Sequence, residues 1–293
     1  MAKGLCIVNG YSSLQGPRHF YERMKEELEK KNVGLSLLKA TNFLSEIDGN
    51  GIIEILPGMF SFVLFLDKDA YLAAALEGQG YRLFNKAEAI RLSDDKMLTS
   101  LALAGHGIRM PKTIGAPLNY VGGYDDGFLR LVQKELSYPL IAKCSYGSLG
   151  REVKLINNYQ ELEAFEDQNA FKSHLYQEYI SSSKGTDYRL IVVGGHFVAG
   201  MRRHNDRDFR SNLACGGVGE KVDVPEGYIY MAEKAAKLLG LDYAGVDLLV
   251  GPEGEPLLSE VNSNAFLEGI EKTTGINVAA AYADYIVKSL GLQ

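Results

Sequence analysis

The stretch at residues 247–262 reads DLLVGPEGEPLLSEVN, in which two apolar segments flank a Gly-Pro-Glu-Gly turn. This arrangement is typical of a β-hairpin. If residues 253–254 form the tip of the turn, Asp247 lies directly opposite Glu260 in the ladder. Because side chains alternate along a strand, Glu260 and Asn262 share one face. The hairpin is therefore expected to bring three oxygen-bearing side chains together.

Two of these three side chains are carboxylates, and like charges placed opposite each other in a sheet repel. A divalent cation that prefers oxygen ligands turns this repulsion into binding. We therefore interpret Asp247, Glu260 and Asn262 as ligands of magnesium, or of manganese. The alternative, which the residues alone leave open, is an exposed hairpin whose acidic side chains face water.

The chain has 293 residues, enough for about two domains. It is 46% hydrophobic and carries a net charge of -6 without a long basic run, which argues against a nucleic-acid partner. No apolar run is long enough to span a bilayer, so no membrane partner is expected. The cysteines Cys6, Cys144 and Cys215 show no metal spacing, and the N-terminus shows no signal-peptide pattern. We expect a cytoplasmic protein with reduced thiols.

Strands and helices alternate over residues 1–92, which predicts an α/β domain with a parallel sheet. Residues 93–175 and 176–293 predict two further lobes with a cleft between them, so the expected fold class is α/β followed by α+β. Strands are predicted at residues 5–8, 34–38, 61–66, 81–84, 140–145, 153–156, 175–180, 188–193, 196–203, 243–250 and 256–262. Helices are predicted at 18–31, 69–77, 94–104, 124–136, 159–171, 228–239 and 278–290, with Ser93 as the N-cap of the third.

The loop at residues 146–150 contains Gly147 and Ser148 and follows Lys143, which lies in a largely apolar strand. Glycine lets backbone N–H groups approach phosphate oxygens closely, and serine adds a donor. We interpret the loop and Lys143 as a flap and a cation for nucleotide phosphates. The alternative is a simple hairpin loop beside a lysine whose stem packs on apolar surface.

The segment at residues 202–212 is dense in charge, and strand alternation sends Arg202 and Arg203 to opposite faces. Arg210 and Asn212 share a side if that piece is extended. Arginine pairs bidentately with phosphate or carboxylate, which favours an anion-binding cage. The alternative is a solvated loop with surface arginines.

A strand end at Glu178-Tyr179 precedes a turn that contains Asp187. An exposed peptide edge at the first position can pair with a purine, and carboxylates can accept hydrogen bonds from sugar hydroxyls. The alternative is an ordinary strand end and turn. None of the five histidines shows ligand spacing, and we assign them no role.

These motifs and several others follow one another in a definite order. They are Asp95-Lys96, Tyr138-Pro-Leu-Ile-Ala-Lys143, Gly147-Ser148-Leu-Gly150, Gln177-Glu178-Tyr179-Ile180, Gly185-Thr-Asp187-Tyr-Arg189, Phe209-Arg210-Ser-Asn212, Gly245-Val-Asp247-Leu and Glu260-Val-Asn262-Ser. The order resembles the ATP-grasp superfamily of carboxylate–amine ligases and is most similar to its RimK-type branch, which the tail LEGIEKTTG at residues 267–275 strengthens. The resemblance covers nearly the whole chain.

The resemblance implies an ATP-grasp fold, with a preceding α/β domain and two lobes that clamp ATP between them. It implies metal ligation by Asp247, Glu260 and Asn262. The nucleotide-binding residues that it implies are Lys96, Lys143, Gly147 and Ser148 for the phosphates and flap, Glu178 and Tyr179 for adenine, Asp187 near the ribose, and Arg210, Ser211 and Asn212 for nucleotide or phosphate.

Two positions depart from the family pattern. Glu152 stands where a glycine is common after the flap, and Ser263-Asn264-Ala265-Phe266 replaces a Pro-Gly after the metal strand. The first departure puts an acidic side chain near phosphates, and the second alters the segment that should border the acceptor pocket.

The implied reaction uses ATP and magnesium to activate a carboxylate as an acylphosphate, which the amine of an amino acid such as glutamate then attacks. Arg202 is our candidate for stabilising the oxyanion. The acceptor can be a metabolite, a peptide or a protein C-terminus, and a homo-oligomer is expected. Two alternatives are a small-peptide or D-amino-acid ligase and a non-catalytic ATP-binding regulatory protein.

Overall fold

The computed structural model describes residues 2–12, 15–55 and 58–292. Its strands are β1 (Ala2–Val8), β2 (Val33–Lys39), β3 (Glu46–Ile47), β4 (Ile53–Glu54), β5 (Phe62–Leu66), β6 (Leu83–Phe84), β7 (Thr113–Gly115), β8 (Leu140–Cys144), β9 (Val153–Ile156), β10 (His174–Glu178), β11 (Thr186–Val193), β12 (His196–His204), β13 (Val218–Lys221), β14 (Tyr243–Val250) and β15 (Pro256–Asn262). Its helices are α1 (Gln15–Glu29), α2 (Ala70–Gly78), α3 (Ala87–Asp94), α4 (Lys96–Leu103), α5 (Asp126–Leu136), α6 (Tyr159–Asn169), α7 (Glu226–Leu238), α8 (Leu267–Thr274) and α9 (Val278–Ser289).

The first sheet has the order β2-β1-β5-β6 and is parallel, as the alternation of strands and helices predicts. All five residues of β5 are buried, which is typical of a parallel strand covered on both faces. In the register of the two central strands, Val8 lies beside Leu66. The residues that follow these two strands therefore meet at the carboxyl edge of the sheet.

Two antiparallel sheets follow along the chain. The central sheet has the order β7-β10-β8-β9, and the C-terminal sheet has the order β13-β12-β11-β14-β15. The glycine pair at 194–195 forms the turn between β11 and β12, with φ angles of 58° and 82°. Strand β10 belongs entirely to the central sheet, so it spans residue 176, and the division of the chain into domains 1–92, 93–175 and 176–293 stays a prediction.

The helical boundary near residue 93 differs from the prediction. Ser93 lies inside α3, where its hydroxyl donates to the carbonyl of Ile90, rather than capping a helix. Asp95 is the N-cap of α4, because its carboxylate accepts the N–H groups of Met97 and Leu98 at 2.8 and 3.0 Å. The cap makes Lys96 the first helical residue and directs it toward the central sheet, where its N–H donates to the carbonyl of Ser145.

The first sheet and the C-terminal sheet share a hydrophobic core with α1, α8 and α9. Asn85 connects them further, because its amide donates to the carbonyls of Tyr243 and Ser263 and accepts the N–H groups of Asp242 and Tyr243. An ion pair between Arg82 and Asp242 lies beside these bonds. The parallel domain is therefore held firmly against one end of the C-terminal sheet.

Candidate active site

A cleft of about 890 Å³ lies between the central sheet and the C-terminal sheet. Twelve of the fourteen predicted site residues line it, namely Lys96, Lys143, Gly147, Ser148, Glu178, Tyr179, Asp187, Arg210, Ser211, Asn212, Asp247 and Glu260. Asn262 lies in an adjoining cavity that shares Glu260 with the cleft. Arg202 lines neither of these two cavities.

The hairpin register at the predicted metal ligands agrees with the sequence analysis, because Asp247 lies opposite Glu260 and Gly245 lies opposite Asn262. The route to this register differs from the prediction. Near the tip, the pairing is shifted by one residue from the predicted register, so that Leu248 lies opposite Leu258. A β-bulge at Ser259 restores the predicted register at Glu260.

Gly245 is required by the close approach of the chain that follows the hairpin. A Cβ atom at this position would lie 2.3 Å from the Cβ of Ala265 and 3.4 Å from Nη1 of Arg189. The missing side chain therefore leaves room for an arginine beside Asn262.

Four charged side chains on one face of the C-terminal sheet form a network. Arg203 Nε donates to Asp187 Oδ1 at 2.7 Å, and its Nη2 lies 3.0 Å from Asp247 Oδ2. Arg189 Nη2 donates to the same Asp247 oxygen at 2.6 Å, and its Nε donates to Oδ1. Arg203 and Asp247 are both 3% exposed, so the network is essentially desolvated.

Burial acts to raise the pKa of Asp247, but the charges and hydrogen bonds of Arg189 and Arg203 outweigh it and hold the pKa below its ordinary value. Burial likewise acts to lower the pKa of Arg203, but the charges of Asp187 and Asp247 outweigh burial and raise this pKa above its ordinary value. Asp247 is therefore kept ionised in a dry site, which a metal ligand requires.

Two lysines face this network from the other wall. Lys96 Nζ lies 3.8 Å from Glu260 Oε1 and donates to the carbonyl of Gly147 at 3.2 Å. Burial lowers the pKa of Lys143 to about 8, a shift that the nearby cation of Lys96 supports and that Glu260 and Asp247 oppose. A phosphate beside Lys143 would favour its charged form, so this lysine is suited to an anionic ligand.

The flap between β8 and β9 has left-handed backbone at Leu149 and Gly150, with φ of 62° and 71°, and Gly147 has φ of 142°. Arg210 Nη1 donates to the carbonyl of Gly150 at 2.6 Å and so ties the flap to the C-terminal lobe. Glu152 lines the cleft, and its carboxylate lies 3.8 Å from Lys172 Nζ. Lys172 therefore offsets the negative charge of Glu152, which stands where the family pattern has glycine.

The predicted adenine-binding residues lie where β10 leaves the central sheet. The N–H of Glu178 is bonded to the carbonyl of Lys112 at 2.9 Å. Tyr179 and apolar side chains that the sequence analysis did not assign, including Pro111, Ile141 and Leu249, line this part of the cleft. The result is an apolar slot beside a peptide edge, which suits a flat heterocycle.

Arg202 and Arg203 at the end of β12 point to opposite faces of the sheet, as strand alternation requires. The sequence did not decide which of them lies on the face of the predicted metal ligands. Arg202 is exposed and lies opposite Tyr188 and Glu220, away from the cleft, whereas Arg203 is buried in the charged network. The structure therefore does not bring Arg202 together with the other predicted residues. Alternation along β11 already places Arg189 on the face of Asp187, and this signal was missed.

A second cavity of about 1030 Å³ adjoins the flap end of the cleft, since Ser148, Asn212 and Glu260 line both. Residues 263–266, which differ from the family pattern, border this cavity through Asn264, Ala265 and Phe266. The opposite wall comes from the parallel domain. The expectation that this segment borders a substrate pocket is thus compatible with its position.

The donor set fits an oxygen-preferring metal. Asp247, Glu260 and Asn262 offer two carboxylates and an amide on one face of the hairpin, and the amide Nδ2 of Asn262 is buried without a hydrogen-bond partner. In the described part of the chain, no group of three or more His, Cys, Asp or Glu residues has metal-binding geometry. A site here would therefore combine the two carboxylates with a ligand of another kind, such as the side-chain oxygen of Asn262.

Residues 93–286 match the model of the RimK-like ATP-grasp domain. A probable alpha-L-glutamate ligase from Picosynechococcus is 40% identical over 210 residues, which cover 70% of this chain and 67% of the relative. The chain belongs to the RimK-like ATP-grasp family. This RimK-like chain is an ATP-dependent carboxylate–amine ligase. Human N-acetylaspartylglutamate synthase A is 32% identical over 231 residues, which cover 76% of this chain and 57% of the human protein.

Solved structures confirm the ATP-grasp fold of this RimK-like ligase. A RimK domain protein from Sphaerobacter thermophilus has a TM-score of 0.73 at 20% identity, covering 98% of this chain and all of that chain. D-alanine–D-alanine ligase from Bacillus anthracis, complexed with ATP, has a TM-score of 0.73 at 19% identity over 99% of this chain and 97% of that chain. Within the described ranges, every helix is too short or too polar to cross a bilayer.

Proposed function

We propose that this chain joins the amine of glutamate to a carboxylate acceptor in a reaction that consumes ATP and requires magnesium. Relatives named probable alpha-L-glutamate ligases support glutamate as the amino acid. The observation that carries the proposal is one cleft in which the carboxylates of Asp187, Asp247 and Glu260 on one lobe face two lysines of the other.

In this proposal the nucleotide lies along the cleft. The base occupies the slot at Glu178 and Tyr179, and the phosphates lie toward the flap and Lys143. The cations of Lys96, Lys143 and Arg210 surround the phosphate end, where they offset negative charge in a partly desolvated space.

Asp247, Glu260 and Asn262 would hold magnesium, which supplies charge neutralisation for the phosphoryl group when bound. Arg189 and Arg203 orient the Asp247 carboxylate from behind. This support is preorganised, because the arginines are already bonded to the carboxylate and do not need to move.

The chemistry proceeds by transfer of the γ-phosphoryl group of ATP to an oxygen of the acceptor carboxylate, with release of ADP. The glutamate amine then attacks the acyl carbon, loses a proton, and phosphate leaves with the C–O bond electrons to give the amide. We assign stabilisation of the oxyanion to Arg189 instead of Arg202. Arg189 lines the adjoining cavity beside Glu260 and Asn262, and its Nη1 takes no part in the bonds to Asp247. Closure of the lobes excludes water, which would hydrolyse the acylphosphate.

The test is a reaction of the chain with ATP, magnesium, glutamate and a panel of carboxylates and cell-extract fractions, followed by ADP assay and mass spectrometry. We expect ADP formation that depends on both substrates and a product heavier than the acceptor by one glutamate residue. ADP formation without any new amide would contradict the proposal. Binding of ATP without turnover on any acceptor would favour a regulatory role.

The acceptor is the open part of this proposal. A metabolite, a peptide and a protein C-terminus all carry the required carboxylate. The mass shift in the extract reaction would identify the acceptor and show whether the addition repeats. Sedimentation of the purified chain would test the expected homo-oligomer.

A further inference from the structure

The second cavity has one wall at the carboxyl edge of the parallel sheet. Asn9 follows β1 and Asp67 follows β5, and both residues line the cavity. The strands are neighbours, so the two side chains come together there. In open α/β sheets, ligands bind in the crevice outside the carboxyl ends of the strands.

Asp67 is held in one orientation with one oxygen left over. Its Oδ1 accepts the N–H of Lys68 at 2.7 Å and the amide Nδ2 of Asn9 at 3.3 Å. Asn9 Oδ1 accepts the N–H of Tyr11 at 2.9 Å, so the Asn9 amide presents its nitrogen to the carboxylate. Asp67 is only 8% exposed, and its Oδ2 is buried without a hydrogen-bond partner.

The nearby cations are engaged elsewhere. Lys68 Nζ lies 2.7 Å from Asp94 Oδ1, and Arg189 is bonded to Asp247. Among the residues that the structure describes, no cationic side chain forms an ion pair with Asp67. Burial raises the pKa of Asp67 above its ordinary value, and the hydrogen bonds that it accepts only partly offset this.

An unpaired buried carboxylate is costly and calls for a donor from the ligand. Asn264 Oδ1 is also buried without a partner and lines the same cavity. Two acceptors without donors fit a group that carries several N–H bonds and a positive charge. An ammonium group has three such bonds and the right charge.

We propose that Asp67 binds the ammonium group of the amino-acid substrate in the second cavity, with Asn264 as an additional acceptor. This inference rests on the proposed function, since it assumes that the amine substrate enters beside the phosphate end of the cleft. It makes the loop after β5 a determinant of substrate class. Acids that lack an α-amino group bind poorly in this position.

The test compares Asp67→Asn with Asp69→Asn in the full chain. Asparagine at position 67 keeps an oxygen for the two N–H donors and replaces the unpaired oxygen by an amide nitrogen. Asp69 lies two residues further on, is exposed, and caps α2 through the N–H groups of Tyr71 and Leu72. Asparagine is an equally good cap, so this variant is a matched control.

We expect Asp67→Asn to raise the KM for glutamate by about 10- to 100-fold, the usual effect of losing a charged hydrogen bond. The KM for ATP should stay unchanged, because Asp67 does not line the cleft proposed for the nucleotide. The charge of Asp69 also acts on Asp67, so Asp69→Asn should change the KM for glutamate only slightly and far less than Asp67→Asn. An unchanged KM for glutamate in Asp67→Asn, or an equal rise in both KM values, would overturn the assignment.

A measurement on the wild-type chain covers the case in which the variant fails to fold. Glutarate has the carboxylates of glutamate without its amino group. We expect its inhibition constant against glutamate to exceed the KM for glutamate at least about tenfold. Equal values would overturn the ammonium assignment while leaving the ligase proposal intact. Absence of wild-type turnover with every amino acid would overturn the proposed function, and this inference with it.

Discussion

The two walls of the cleft between the central sheet and the C-terminal sheet carry charge in different ways. On the C-terminal sheet, Asp187, Arg203, Asp247 and Arg189 form a closed network in which every charge has an opposite partner. On the central wall, Lys143 is partly buried with a lowered pKa, and its charged form depends on more distant carboxylates. The charges of the C-terminal wall are therefore paired without a ligand, whereas Lys143 on the central wall would gain an opposite charge from an anionic ligand.

This difference indicates how the site divides its work. Buried pairs cost desolvation energy, which their mutual attraction offsets only with good geometry, so the closed network serves to hold Asp247 in place. An isolated desolvated lysine is destabilised in its charged form and gains most from a bound phosphate. In the proposed function, the first wall therefore holds the metal ligand Asp247 in place, and the second wall gains its charge stabilisation from the bound phosphate.

The largest effect should come from breaking the closed network with Asp247→Ala. This change removes a proposed metal ligand and leaves Arg189 without its partner. Turnover should fall by about 10³-fold, and unfolding free energy by about 3–5 kcal/mol. ADP assays and urea denaturation measure the two effects. Asp247→Asn, which keeps the shape and removes the charge, should lose turnover with a smaller loss of stability.

The next effect should come from Lys143→Met, which removes the cation of the second wall and keeps the length of the side chain. The kcat/KM for ATP should fall by about 10- to 100-fold, as expected for lost charged contacts to phosphate. The melting temperature should not fall, because a desolvated charge is removed. A loss of stability comparable with that of Asp247→Ala would contradict the distinction between the walls.

A pH series sharpens the same distinction. Well below its pKa of about 8, Lys143 is charged with or without nucleotide, so this lysine should not make the affinity for ATP depend on pH. Above its pKa of about 8, the free site is neutral and ATP must bind together with a proton. The Kd for ATP should therefore rise with pH, by at most about tenfold per unit. In Lys143→Arg this rise should be absent, since arginine stays charged.

The smallest effect is expected for Arg202→Ala. Arg202 is exposed on the face of β12 that points away from the cleft, and surface substitutions usually change stability by less than about 0.5 kcal/mol. Its kcat/KM should match that of the wild-type chain, whereas Arg189→Ala should lose turnover. Loss of turnover in Arg202→Ala alone would restore it as the oxyanion residue.

The sequence was sufficient for features that depend on neighbouring residues or on motif order. Strands β9, β14 and β15 have the predicted bounds, and the family follows from the order of the motifs. Short or polar elements were missed, including α3, α8, β7 and β13. Their local patterns are weak, and packing against neighbouring elements stabilises them.

By itself, the sequence determined the hairpin, the pairing of Asp247 with Glu260, and the opposite orientation of Arg202 and Arg203, because strand geometry has a period of two. Only the tertiary structure decided that Arg203, and not Arg202, lies on the sheet face of Asp187 and Asp247. It also joined Arg189 to Asp247 across 58 positions and brought Asn9 to Asp67 across the same separation. These contacts depend on strand order within each sheet, because Arg189 pairs with Asp247 on neighbouring strands and Asn9 and Asp67 follow two neighbouring strands. Which distant segments become neighbours is decided only when a shared core is buried.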